Sequence, residues 1–149
     1  MENMLNVILT GTPSDSHTWN LIFMELFLQE NKCRVRNLGS CVSAEQLHTA
    51  IEEEVPDLVV ISSINGHLFQ DAIKIINTFP SHLASSLPPL VVGGKMGITL
   101  KETGFQGKKL LKLGYSGVFV EKDSLVSFKQ YLHRLGNAKS YQKSLRYAV

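Results

Sequence analysis

Asp15 and His17 stand one residue apart in the segment TPSDSHTWN, residues 12–20, directly after an apolar run. A carboxylate that holds one nitrogen of an imidazole fixes its tautomer, and the other nitrogen is then free to bind a metal. A histidine in a polar loop can also be simply solvated, and Asp15 can instead cap a helix that opens near Thr18. The elements that would position the pair decide between these interpretations.

The bulk composition places the chain among ordinary globular proteins and excludes several classes. Its 149 residues fit one domain, 44% are hydrophobic and 19% are charged. A net charge of +2 gives no argument for a nucleic-acid partner or a membrane surface. No apolar run approaches the roughly 20 residues that span a bilayer, and the N-terminus does not resemble a signal peptide. Cys33 and Cys41 show no metal-ligand spacing, so we expect free thiols and a cytoplasmic protein.

Short apolar runs alternate with helix-length segments along the chain. Strands are predicted at 5–10, 34–38, 57–62, 89–94 and 117–120, and helices at 18–31, 43–54, 69–79, 103–114 and 124–136. This alternation predicts an α/β fold with a parallel sheet covered on both faces and right-handed crossovers. The expected topology is a doubly wound, flavodoxin-like (Rossmann-like) five-stranded sheet of order 2-1-3-4-5. Residues 1–136 would form this domain, and 137–149 a basic C-terminal tail that frays or docks on a partner.

Local signals add four expectations. Ser43 and Gln46 have the spacing of a capping box, and Gly114 is a helix C-terminal cap. Helical spacing predicts core positions for three apolar residues of the first helix: Phe23, Leu26 and Phe27. The histidines outside the first loop are expected at the surface: His48, His67, His82 and His133.

The loops after four predicted strands are small, polar and rich in glycine: GTPSDSH, GSC, SSINGH and GGKMG. In a sheet of this order, ligands bind outside the carboxyl ends of the strands, at the switch point between strands 1 and 3. Such loops let a bulky, flat or phosphate-bearing ligand approach the backbone. Turn chemistry alone is the alternative explanation.

Three ligand classes can be tested against these loops. A phosphorylation receiver needs an aspartate at the end of strand 3, where Ser62 and Ser63 stand. A flavin would find hydroxyls for its phosphate in residues 12–18, but the loops after strands 3 and 4 offer no aromatic side chain to flank its ring. A metal-centred ligand would find His17 at the switch point, with Asp15 to hold its second ring nitrogen.

SDSH after strand 1, SSINGH after strand 3 and VVGG after strand 4 together resemble the cobalamin-binding domain with its Asp-x-His-x-x-Gly signature. Within that family the likeness is to the small subunits of glutamate (methylaspartate) mutases, and it runs from about Asn6 to Val120. The resemblance implies an isomerase subunit that binds adenosylcobalamin. It also implies a separate, larger catalytic subunit, a barrel, that holds the substrate. No catalytic residue is expected on this chain itself.

The resemblance also implies the cofactor contacts. His17 would be the lower cobalt ligand, Asp15 its hydrogen-bond partner, and Ser14 their neighbour. Ser62 would meet the nucleotide tail of the cofactor, and Ile64 would wall its pocket. The tail would pass close to the backbone at Gly93 and Gly94 and run between strands 1 and 3. The cofactor-binding residues so implied are Ser14, Asp15, His17, Ser62, Ile64, Gly93 and Gly94.

The sequence departs from the family pattern at two places. Asn20, next to Trp19, occupies the signature glycine position and takes room that the tail would use. Lys122 and Asp123 replace the Gly-Thr pair of related proteins after strand 5. Nearby, His67 could face the ligand or solvent.

Two other functions remain open. A corrinoid carrier for methyl transfer usually has a helical cap domain ahead of this one, and strand 1 begins by Leu5, which favours the mutase arrangement. A regulatory domain that has lost cobalamin would explain Asn20 and Lys122. The arginines lie away from the predicted loop ends, so no residue here would clamp an acidic substrate: Arg34, Arg36, Arg134 and Arg146.

Overall fold

The computed structural model describes residues 4–97, 99–120 and 123–147. Within them a parallel five-stranded sheet has the order β2-β1-β3-β4-β5, which confirms the predicted α/β fold and topology. The strands are β1 Leu5–Thr10, β2 Cys33–Asn37, β3 Leu58–Ser63, β4 Leu90–Gly94 and β5 Gly117–Phe119. The helices are α1 Trp19–Glu30, α2 Ala44–Glu54, α3 Leu68–Asn77, α4 Ser81–Ala84, α5 Leu100–Leu113 and α6 Ser124–Tyr147. The four-residue α4 was not predicted, because it is too short to show a helical period.

Each face of the sheet carries its own core. Successive side chains of β1 point to opposite faces, so Ile8 belongs to one core while Val7 and Leu9 belong to the other. Helices α2, α3 and α5 cover the first face, and α1 and α6 cover the second. Every residue of the central strand β3 is buried, as its apolar, β-branched sequence predicts.

Local capping signals set several helix ends. The predicted capping box is confirmed: Ser43 Oγ accepts the Gln46 N–H at 3.1 Å, and Gln46 Oε1 accepts the Ser43 N–H at 2.9 Å. Gly114 ends α5 with a φ of +121°. Helix α5 begins three residues earlier than predicted, because Thr99 Oγ1 accepts the Glu102 N–H and caps its first turn.

Helix α1 corrects one expectation. Phe23 and Leu26 are 54% and 57% exposed, whereas Leu21 and Leu28 are the buried residues of this helix. Because α1 carries apolar residues on all sides, spacing alone does not identify its buried face.

The expectation that His48 lies at the surface is also wrong. It is 8% exposed on α2, and its ring packs 4.5 Å from that of Phe79. Burial lowers the pKa of His48 by disfavouring the charged ring.

Helix α6 extends beyond the predicted end at residue 136. It continues through Gly136 to Tyr147, so the predicted division between domain and tail falls inside a helix. Lys139 ties this extension to the domain, because its ammonium donates to the Met4 carbonyl and to Asp57 Oδ2, each at 2.8 Å. None of the helices within the described residues combines the length and apolar character needed to cross a membrane.

Candidate functional site

The loop between β1 and α1 is folded around the carboxylate of Asp15, whose side chain is only 2% exposed. Its Oδ1 accepts the His17 N–H at 2.9 Å and contacts His17 Nδ1 at 2.6 Å. Its Oδ2 accepts from Ser63 Oγ and the Ile64 N–H at 2.8 Å each, and from the Asn65 N–H at 3.2 Å. Asp15 therefore joins the loop after β1 to the loop after β3.

These contacts keep Asp15 ionised. Burial alone would raise its pKa, but backbone hydrogen bonds from His17 and Ile64, and side-chain bonds from Ser63 and His17, outweigh burial and hold the pKa well below the ordinary 3.8. The residue that caps α1 is Thr18, without a side-chain bond. The alternative role of Asp15 as a helix cap is therefore wrong.

The His17 ring is held on one side and open on the other. An ionised carboxylate only accepts hydrogen bonds, so in the neutral ring this network assigns the proton to Nδ1 and the lone pair to Nε2. The side chain is 54% exposed, and within the described residues Nε2 has no hydrogen-bond partner. No group of three or more potential metal ligands occurs in the part of the chain that the structure describes. His17 can therefore give one protein ligand to a metal whose other ligands come from a bound molecule.

The side chains of Ser62 and Ser63 make different contacts, because neighbouring side chains of a strand point to opposite faces of the sheet. Ser63 donates to Asp15, while Ser62 lines a cavity on the side of α1 and α6. Ser63 pairs with Gly94 in the β3–β4 register. At Gly94 the φ is +122°, and a Cβ would lie 1.8 Å from the Ser63 carbonyl oxygen, so only glycine fits there.

Ser14 is fixed by residues that the sequence did not identify. Its hydroxyl donates to the buried carboxylate of Asp71 on α3, and Asn65 Nδ2 donates to the Ser14 carbonyl at 3.1 Å. Asn65 Oδ1 accepts the N–H of His67, which is exposed at the start of α3. The Asn65–Gly66 pair is a turn signal that could have identified Asn65, whereas nothing local points to Asp71.

A cavity of about 260 Å³ opens over β3 and β4, between α1 and the first turns of α6. It contains four of the predicted residues, Ser62, Ile64, Gly93 and Gly94, and its other lining residues are mainly apolar: Asn20, Phe23, Met24, Val60, Val91, Val92, Phe119, Val120, Ser124, Leu125 and Phe128. Residues of β1 do not line it, so it lies over β3 and β4 rather than between β1 and β3.

The predicted site therefore falls into two connected parts. Ser14, Asp15 and His17 share the first loop and do not line the cavity. Ile64 joins the parts, because its N–H donates to Asp15 and the residue lines the cavity.

One departure from the family signature, Asn20, lies at the cavity. Asn20 lines it and donates from Nδ2 to Ser62 Oγ at 3.2 Å, while its Oδ1 is buried without a hydrogen-bond partner in the described structure. Trp19 is 80% exposed and Asp123 is exposed. Lys122 lies outside the described residues.

Comparisons with known proteins bear on this arrangement. No family model matches the sequence. The glutamate mutase sigma subunit of Halobacterium salinarum is 26% identical over 113 residues, which are 76% of this chain and 74% of that protein. A cobalamin-binding protein from Desulfitobacterium hafniense superposes with a TM-score of 0.65 at 12% identity, over 89% of this chain. The resemblance to cobalamin-binding domains is confirmed.

Other solved structures share the fold of this chain. The methanol:cobalamin methyltransferase complex MtaBC from Methanosarcina barkeri superposes with a TM-score of 0.62 at 16% identity, over 87% of this chain. This chain spans 60% of the Desulfitobacterium chain and 46% of the Methanosarcina chain. A two-component response regulator reaches a TM-score of 0.63 at 15% identity. Likenesses at such identities concern the fold alone, and β3 here ends in serines where a receiver needs its aspartate.

Proposed function

We propose that this chain is the cobalamin-binding small subunit of an adenosylcobalamin-dependent carbon-skeleton mutase of the glutamate (methylaspartate) mutase type, with His17 as the lower cobalt ligand. The observation that carries the proposal is the 2.6 Å contact between His17 Nδ1 and Asp15 Oδ1. In the neutral ring it places the proton on Nδ1, so that Nε2 carries the lone pair that a metal-binding imidazole needs.

Asp15 is the positioning residue of this pair. Its two oxygens accept five hydrogen bonds from both loops, so the carboxylate that orients His17 cannot easily turn away. A fixed, ionised partner on Nδ1 raises the basicity of Nε2 and strengthens its bond to a metal.

The cavity supports the proposed binding of the cofactor's nucleotide tail. At about 260 Å³ it is smaller than the roughly 300–1,000 Å³ of whole-ligand pockets, and it suits one part of a large ligand. Ser62, Ile64, Gly93 and Gly94 would hold the nucleotide tail there, while His17 takes the place of the tail's base at the metal. Asn20 narrows this cavity and does not close it.

The cofactor, when bound, supplies radical chemistry by cleavage of its cobalt–carbon bond. This chain's own residues bind and orient it: His17 by ligation, Asp15 by holding the ring, and Ser62 with the glycine pair by receiving the tail. A larger catalytic subunit would hold the acidic substrate and close over the loop face. The exposed Trp19 and Phe23 of α1, beside the cavity, are suited to such a contact.

Absorption spectroscopy of the purified protein with adenosylcobalamin tests the proposal. We expect binding with the benzimidazole base displaced from cobalt, and loss of this spectrum in His17→Ala. The matched control is His133→Ala, which removes an exposed histidine of α6 away from the candidate site and should leave the spectrum unchanged. A spectrum that His17→Ala does not alter would exclude His17 as the ligand. Retention of methylcobalamin in preference to adenosylcobalamin would favour a corrinoid carrier for methyl transfer.

A further inference from the structure

The carboxylate of Asp71 is buried against the first loop, although Asp71 itself lies on α3. The residue is 6% exposed, and its Oδ2 accepts a hydrogen bond from the Ser14 hydroxyl. A carboxylate inside a protein needs donors or a favourable field to compensate for the lost water. Ser14 is such a donor, and Asp71 lies in the first turn of α3, at the positive end of the helix dipole. The loop that carries His17 is therefore bound to α3 by a charge-assisted hydrogen bond.

Asp71 also sets the direction of the hydrogen bonds that follow. Because Ser14 Oγ gives its single proton to Asp71, only lone pairs remain on that oxygen for Asn65. Asn65 accordingly turns its amide nitrogen to the serine, with Nδ2 3.1 Å from both the Ser14 carbonyl oxygen and Oγ. The amide oxygen then points the other way and accepts the His67 N–H at 2.9 Å. The side chain of Asn65 is thus held at both ends.

The backbone of Asn65 connects this arrangement to the ligand pair. Its N–H donates to Asp15 Oδ2 at 3.2 Å, and Asp15 Oδ1 lies 2.6 Å from His17 Nδ1. A continuous set of hydrogen bonds joins the α3 carboxylate to the imidazole, in the order Asp71, Ser14, Asn65, Asp15 and His17. A change at its far end can therefore alter the orientation of the ring without touching the ring.

The first loop is held from two sides. Towards β2, the Cys41 N–H donates to the Asp15 carbonyl at 3.0 Å. Towards α3, Ser14 bonds to Asp71 and Asn65. Without the α3 side, the loop would gain freedom and the imidazole would sample more orientations. A ligand that must be ordered on binding holds its metal more weakly.

We infer that Asp71 is a positioning residue for the cobalt ligand, and that it acts through Ser14 and Asn65 to hold the first loop in the orientation in which His17 binds. The inference rests on the proposed function and extends its site to α3, by a residue 57 positions from Ser14 in sequence. Groups that orient a metal ligand contribute about tenfold to a hundredfold to metal affinity. Because Asp71 acts through other residues, we expect the lower end of that range.

Electron paramagnetic resonance of cob(II)alamin, at saturation and in protein with ¹⁵N-labelled histidine, measures the fraction of bound cofactor that histidine ligates. We expect Ser14→Ala and Asp71→Ala each to weaken binding about tenfold and to lower this fraction. Asp71→Asn should keep the wild-type fraction, because its amide oxygen still accepts from the Ser14 hydroxyl. Ser14→Ala, the smaller change, keeps the test valid if Asp71→Ala does not fold.

Asp57→Ala is the matched structural control. Asp57 is a partly buried carboxylate at the opposite end of the sheet, where Oδ2 accepts the Asn6 N–H at 2.7 Å and the Lys139 ammonium at 2.8 Å. Its loss should lower the stability of the protein and leave the ligated fraction at saturation unchanged.

A double-mutant cycle on the cofactor-free protein tests the path itself. In urea unfolding, the double variant of Ser14→Ala and Asp71→Ala should lose less in the folding equilibrium constant than the product of the two single losses, because either change breaks the same bond. Independent losses would overturn the inference, since Asp71 would then not act through Ser14.

The spectra separate the failure of this inference from that of the proposed function. A wild-type ligated fraction in Ser14→Ala and Asp71→Ala, or an equal fall in Asp57→Ala, would overturn the inference and leave the proposed function standing. Failure of the wild-type protein to show histidine ligation would overturn both.

Discussion

The carboxylate of Asp15 is the contact on which both the fold of the first loop and the state of His17 depend, and Asp15→Asn tests it with little change in shape. An amide replaces one carboxylate oxygen with an N–H donor. At the Oδ2 position that donor would face three donors, from Ser63, Ile64 and Asn65, so the amide nitrogen should take the Oδ1 position. There it faces the backbone N–H and the ring of His17.

The magnitude follows from the groups left unpaired. The His17 ring can adapt by moving its proton to Nε2, so that Nδ1 accepts from the new amide, but the His17 backbone N–H loses its acceptor. One unpaired, partly buried donor costs about 1–3 kcal/mol, and the hydrogen bonds that remain lose the strength given by a charged acceptor. We expect Asp15→Asn to lower the free energy of unfolding by about 2–4 kcal/mol at neutral pH.

Urea denaturation measured at several pH values is the assay. The folded state lowers the pKa of Asp15, so this residue stabilises the fold above its ordinary pKa of 3.8 and loses that contribution as the pH falls towards the lowered value. The difference between wild type and Asp15→Asn should therefore be full at pH 6–7 and narrow below about pH 4. The control is Asp123→Asn, because Asp123 is exposed and its change should shift stability by less than about 0.5 kcal/mol.

Two results would refute this reasoning. A loss below about 0.5 kcal/mol at neutral pH would mean that the carboxylate does not hold the two loops together. A difference that stays constant down to pH 3 would mean that the pKa of Asp15 is not lowered in the folded protein. The expected tautomer also predicts weaker corrinoid binding by Asp15→Asn, since Nε2 would then carry the proton.

Two further substitutions test the packing that positions the site. Gly94→Ala should destabilise the fold by more than about 2 kcal/mol in urea denaturation, because its Cβ would meet the Ser63 carbonyl oxygen at positive φ. Gly136→Ala, in α6 with open space around its Cβ, should stabilise by about 0.5–1 kcal/mol, and equal effects of the two changes would contradict the assigned strain. Tyr115→Phe should cost about 1 kcal/mol in thermal unfolding, because it removes the hydrogen bond that the buried hydroxyl donates to the backbone carbonyl of Ala72 in α3 at 2.7 Å. Tyr141→Phe, at a 63% exposed position, should change the melting temperature little.

The sheet could be predicted because its strands carry their signal locally. The apolar run at 5–10 matches β1 residue for residue, and the alternation of strands with helices predicts a doubly wound parallel sheet, for which 2-1-3-4-5 is a common order. The meeting of the loops after β1 and β3 follows from that order. The same order predicts that Asp15 and His17 lie opposite Ser62 and Ser63.

The remaining features depend on contacts between distant parts of the chain. The donors that bind Asp15 Oδ2, on Ser63, Ile64 and Asn65, lie 48–50 residues away in sequence. No local pattern shows that Asn65 turns towards the first loop. The extension of α6 is tied to the domain by Lys139, whose partner Asp57 is 82 residues distant. The cavity forms where α1 meets α6, so its lining could not be deduced from the loop motifs alone.

The central claim, that His17 Nε2 is the lower cobalt ligand, is tested most directly by electron paramagnetic resonance of cob(II)alamin bound to the protein. In protein whose histidines carry ¹⁵N and whose other residues are unlabelled, the nitrogen splitting of the cobalt signal should change from triplets to doublets. Triplets that persist in the labelled protein would show that the axial nitrogen belongs to the cofactor's own base, and would contradict this account.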